Sequence, residues 1–177
     1  MKKLLYPLLA LTIACSSDDS EKTSKDFTYH YYNDTKSITV SKGFIAKCGE
    51  PDSDGHQEFK IRLTESRISV GDDGTLVGYG NSMFIYFESE SSAELLPGEY
   101  QILPYKAGLL LDHDFDIEGG SGESIASDVG TVTVKKSGNT YTLIFDIKME
   151  DADDEDLPLK GTFKGNLQAV SSCAALY

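Results

Sequence analysis

Residues 130–149 read GTVTVKKSGNTYTLIFDIKM. From Gly130 to Lys135 apolar and polar residues alternate, Ser137-Gly138-Asn139 carries turn chemistry, and Tyr141, Leu143, Phe145, Ile147 and Met149 recur at period two. Successive side chains of a strand point to opposite faces, so this period lines one face and predicts a β-hairpin. After the acidic stretch Glu150 to Asp156 and Pro158, the residues Leu159, Gly161, Phe163, Gly165 and Leu167 repeat the alternation. A third antiparallel strand makes the segment a meander.

Working outward, the same short alternating runs fill the rest of the chain from Phe27 onward, separated by Gly, Asp, Asn, Ser and Pro, with no stretch at helical spacing. Strands are expected over 27–32, 37–47, 58–63, 75–79, 83–88, 100–103 and 109–117, with turns at Pro51–Gly55 and Gly71–Gly74 and a flexible loop at residues 118–124, EGGSGES. Within 83–88, Met83, Ile85 and Phe87 oppose Phe84 and Tyr86, so both faces are apolar and the strand is expected to be central. Roughly ten short strands in about 150 residues predict an all-β antiparallel sandwich in one domain, residues 27–177, with a lipocalin-like β-barrel as the alternative.

The first fourteen residues, MKKLLYPLLALTIA, pair two lysines with an eleven-residue apolar run from Leu4 to Ala14. That is the build of a signal peptide, and the run is far short of the roughly 20 residues a membrane span needs. Leu11-Thr12-Ile13-Ala14-Cys15 resembles the lipobox of bacterial lipoproteins, with Thr12 standing where Leu, Val or Ile is usual. The resemblance implies cleavage before Cys15 and its acylation. More than one acyl chain is then needed, since a single chain binds a bilayer only marginally. The tract Ser16-Ser17-Asp18-Asp19-Ser20-Glu21 resembles that behind the lipidated cysteine of surface-displayed lipoproteins of the Bacteroidetes. It implies an outer-membrane, cell-surface location, with residues 15–26 as lipidated N-terminus and flexible acidic tether. The segments Gly43–Gly49, Phe59–Leu63, Leu96–Tyr100, Gly130–Val134, Tyr141–Phe145 and Gly161–Leu167 together resemble uncharacterised lipoproteins of that group. They imply a fold and a location, not a chemistry.

Removing residues 1–14 takes away two lysines and no acidic residue, which moves the formal net charge from −13 to −15. Such a surface repels polyanions, so nucleic acid is not an expected partner; a protein, a glycan or a small ligand is. Cys48 and Cys173 remain, one near each end of the folded part, and form the candidate disulfide of an exported chain. Two separate buried thiols are the alternative.

No catalytic constellation is expected. The three histidines, His30, His56 and His113, have no zinc-site spacing, and HExxH and CxxC are both absent. Gly119–Glu123 lacks the strand-to-helix context of a nucleophile elbow and reads as loop. A glycosidase would need two carboxylates at a defined separation, and acidic residues are too numerous here to nominate a pair. No cofactor is expected, and calcium is the one ion the acidic groups suggest. Asp112, Asp114 and Asp116 alternate, with Glu123 eleven residues beyond Asp112, but Ile117 occupies the glycine position of an EF-hand loop. Alternation also predicts that these aspartates face solvent. The second calcium candidate is the acidic loop with Asp151, Asp153, Asp154, Glu155 and Asp156. The sequence thus points to a non-enzymatic binding or structural module held at the outer membrane by lipid. An apolar-ligand carrier and a glycan-binding or glycan-active surface protein are the alternatives.

Overall fold

The computed structural model describes residues 26–30, 37–102, 108–116, 121–127, 129–150 and 156–176. Along these the strands are β1 (Phe27–His30), β2 (Ser37–Val40), β3 (Lys42–Cys48), β4 (Gln57–Thr64), β5 (Ser69–Val70), β6 (Leu76–Val77), β7 (Tyr79–Ser89), β8 (Gly98–Ile102), β9 (Leu109–Asp116), β10 (Ser121–Ser127), β11 (Val129–Ser137), β12 (Thr140–Glu150) and β13 (Asp156–Ala169). A 3-10 helix, Cys173–Leu176, follows. Among the described residues no helix is long and apolar enough to cross a membrane.

The expected meander forms. Ser137 faces Thr140 across a two-residue turn, where Gly138 takes a φ of 57° that a side chain would resist. β12 then pairs with β13 without interruption from Thr140–Asn166 to Glu150–Asp156. β13 does something the alternation did not announce. Past Asn166 it leaves β12 and runs beside β3, parallel, over Leu167–Ala169. That short pairing joins nine strands into one mixed sheet, in the order β10-β9-β7-β4-β3-β13-β12-β11-β8. The antiparallel expectation therefore holds for every pair in this sheet except one.

The sheet folds over at β13 into two layers. Phe59, Ile61 and Leu63 of β4 and Met83, Ile85 and Phe87 of β7 share a core with Leu143, Phe145, Ile147 and Phe163 of the meander. Phe87 meets Tyr100 of β8 edge to face at 5.1 Å, a contact between layers. The β1–β2 hairpin fills the space between, where Phe27 stacks on Phe145 at 4.9 Å. Each such fully buried large side chain contributes about 1.5–3 kcal/mol. The chain is thus an all-β sandwich; among the described residues the end strands β10 and β8 do not pair, so the barrel alternative is not what forms. A β-carbon on Gly161 would run into the Phe27 ring. Gly161→Val is expected to cost about 1–3 kcal/mol by overpacking. A urea midpoint equal to the parent's would mean that β1 does not seat there.

β7 lies between β4 and β9, as its two apolar faces require. Its outer face joins a second, smaller core of Phe44, Ala46, Ile68, Leu76, Phe84 and Leu176, covered by the β5–β6 hairpin and the 3-10 helix. Three expectations are corrected. The single strand expected over 37–47 is two, because Val40 turns inward with β2 while β3 pairs with β4. Of the loop expected at 118–124, residues 121–124 belong to β10, since β9 offers a free edge whose hydrogen bonds outweigh the weak strand preference of Gly and Ser; residues 117–120 lie outside the described set. Asp112, expected to face solvent, is buried.

That burial has a partner. Arg62 of β4, also buried, ion-pairs with Asp112 through Nη2. It donates from Nε to Ser82 Oγ at 2.9 Å and from Nη1 to the Leu176 carbonyl. Ser82 Oγ donates in turn to Asp112 Oδ2 at 3.0 Å. The guanidinium lies 5.5 Å from the Phe84 ring centre. Two opposite charges with these additional hydrogen bonds satisfy the condition under which a buried pair is tolerated. Cys48 and Cys173 are joined as a disulfide, with their α-carbons 5.2 Å apart. The bridge fastens the 3-10 helix onto β3, over the outer face that holds Arg62.

Candidate functional site

Following the outer face of β4 away from Arg62, Lys60 and then Glu58 occupy alternate positions opposite Tyr86 and Glu88 of β7. Lys60 Nζ sits 4.8 Å over the Tyr86 ring and 3.1 Å from Glu58. Burial falls along this row, so the charged end is open to solvent.

The loop from Gly49 to His56 closes that open end. Asp52 Oδ1 accepts from the backbone N–H of Asp54 at 3.0 Å and of His56 at 2.8 Å, while the Asp52 N–H donates to the His56 carbonyl at 2.9 Å. Asp and Asn favour such turns because their side chains bond the backbone two residues on. Gly55, with a φ of 86°, completes the turn. Beneath it Gln57, fully buried, donates from Nε2 to the Cys48 carbonyl at 2.6 Å and pins the loop to the bridged end of β3. The turn's N–H groups, led by that of His56, hold the Asp52 carboxyl below its ordinary pKa, so it stays ionised.

The loop brings His56 to Glu88. His56 Nδ1 lies 3.1 Å from Glu88 Oε1 and 3.6 Å from Asp52 Oδ2, and the imidazole and the Glu88 carboxylate are each about one-third exposed. Two depressions flank this trio. One, of about 350 Å3, is lined by Cys48, Glu50, Asp52, Glu58, Lys60 and others. The other, of about 510 Å3, runs along Leu96–Gln101 with Glu88, Glu90 and Glu99 on its walls. There the Tyr100 hydroxyl donates to the Leu96 carbonyl at 2.8 Å, and burial, reinforced by the Glu90 charge, raises its pKa. It remains a neutral phenol. The surface is acidic, polar and open, suited to cationic or neutral polar groups.

Among the described residues, the two calcium candidates Asp112 and Asp116 are not brought together. β9 has an extra residue between Asp112 and Phe115 relative to β7, so Asp112 opposes Ser82 while Asp116 opposes Tyr79. Those two β7 positions face opposite ways, and the alternation on which the calcium spacing rests is broken. Asp112 is already bonded to Arg62. The side chains of Asp114, Glu123 and Asp156 lie outside the described set, as do Asp151, Asp153, Asp154, Glu155 and Cys15 entirely. The trio Asp52–His56–Glu88 is not announced by sequence spacing. Its Asp-x-x-x-His turn was visible in sequence, but Glu88 reaches it only through the β4–β7 register. The chain matches no protein-family model, no curated protein and no solved structure.

Proposed function

We propose that the chain is an exported, lipid-anchored surface protein whose sandwich is a non-enzymatic binding module. The observation that carries this reading is the Cys48–Cys173 bridge, which spans 125 residues and ties the two ends of the folded body together. Such bridges form and persist in oxidising compartments outside the cytosol. The charged start, the apolar run and Cys15 supply the route there and the anchor. The eleven residues between Cys15 and Phe27 reach at most about 40 Å, enough to hold the sandwich clear of lipid headgroups. Display in the manner of Bacteroidetes lipoproteins is supported by the acidic tract behind Cys15. The module's recognition face is the acidic cleft beside β8, whose carboxylates favour cationic or neutral polar partners over polyanions.

Replacing Cys15 by serine tests the anchor. The expected outcome is transfer of the protein from the membrane pellet to the soluble fraction, with the sandwich intact by circular dichroism. Unchanged fractionation would refute lipid attachment at that residue.

A further inference from the structure

We infer that Asp52, His56 and Glu88 form a binding site for a divalent transition-metal ion of the zinc class. A zinc ion held by nitrogen and oxygen donors at about 2.0–2.2 Å in a tetrahedral shell has donors about 3.3–3.6 Å apart. The separations of His56 Nδ1 from Glu88 Oε1 and Asp52 Oδ2, 3.1 Å and 3.6 Å, straddle that edge, and all three donors lie within 4.8 Å of one another. Small side-chain rotations complete the shell.

A plain ion pair accounts for this grouping less well. The imidazole Nδ1 carries one hydrogen at most, yet two carboxylate oxygens converge on it. They do so on a chain of formal charge −13, beside Glu50, Glu58 and Glu90. A divalent ion at the common centre satisfies all three donors and relieves the repulsion. An imidazole in the set favours zinc, copper or nickel over calcium and magnesium, which take oxygen. The donors come from separate parts of the chain, a turn tied by backbone hydrogen bonds and a central strand, so the site is largely formed before the ion arrives. The fourth position faces the open cleft, where water or a partner's donor group would complete the shell. Only two of its three donors are near in sequence, so no complete ligand spacing betrays the site.

This site goes beyond the lipid-anchored reading and stands or falls separately, because its test uses the purified full-length chain whether or not Cys15 is acylated. After chelator treatment, titration with zinc chloride in a calorimeter is expected to show one saturable site and a raised melting temperature, with neither effect from calcium chloride. His56→Gln and Glu88→Gln, both at partly exposed positions, should melt like the parent without metal and bind zinc about tenfold or more weakly. Cobalt(II) should give the parent a visible tetrahedral band that both variants lack. No zinc heat in the parent, or parent-like binding in either variant, would overturn the proposal.

Discussion

Asp112→Ala is expected to lower folding stability by about 3–5 kcal/mol, the cost of stranding a buried charge. The carboxylate pairs with Arg62 in the outer core, and its loss removes that ion pair while the bonds to Ser82 Oγ and the Leu176 carbonyl, both uncharged acceptors, stay. Replacing both charges is a different matter. Bringing Arg62 and Asp112 out of water costs several kcal/mol per ion, and their attraction only offsets that cost. The double variant Arg62→Leu/Asp112→Leu should therefore lose less than Asp112→Ala alone, although neither leucine can bond Leu176. Urea unfolding of parent, single and double variants measures this. A single-variant loss under about 1 kcal/mol would show that the pair is hydrated rather than buried.

Removing the disulfide should have an effect of similar size. The bridge closes a sequence separation of 125 residues, for which the chain-entropy account gives about 5 kcal/mol. Cys48→Ala/Cys173→Ala is expected to melt well below the parent, as should the parent under reductant. The two predictions are linked: the bridge holds the 3-10 helix whose last carbonyl accepts from Arg62 Nη1, and Leu176 belongs to the same outer core. Once the helix is loose, water reaches Arg62 and the cost of losing Asp112 falls. Combining Asp112→Ala with the cysteine pair should therefore cost less than the sum of the separate losses. Strict additivity would mean that the helix stays seated without its bridge.

The parts of this molecule that could be read from sequence are those where a local period meets a local turn. The alternations of Tyr141 to Met149 and Leu159 to Gly165 announce strands, faces and antiparallel neighbours, because each borders a turn or loop signal. The two apolar faces of Met83–Phe87 announce a central strand for the same reason. What escaped depends on partners far along the chain. β13 joins β3 through Leu167–Ala169, whose sequence gives no sign of a second partner strand. Ser121–Glu123, loop-like in composition, are strand because β9 stands beside them. Asp112 sits in an alternating run that predicts exposure, and its burial is made tolerable by Arg62, fifty residues earlier, together with Ser82 of the neighbouring strand. The Asp52–His56–Glu88 trio is the same case at the surface, where two donors share a turn and the third arrives by register.

The most direct test of the account is the intact mass of the protein recovered from its own cell membranes, after thiol alkylation without reductant. The expected mass is that of a chain starting at Cys15 and carrying acyl groups, with Cys48 and Cys173 unalkylated. A chain that begins elsewhere without acyl mass, or one whose Cys48 and Cys173 both react, would contradict it.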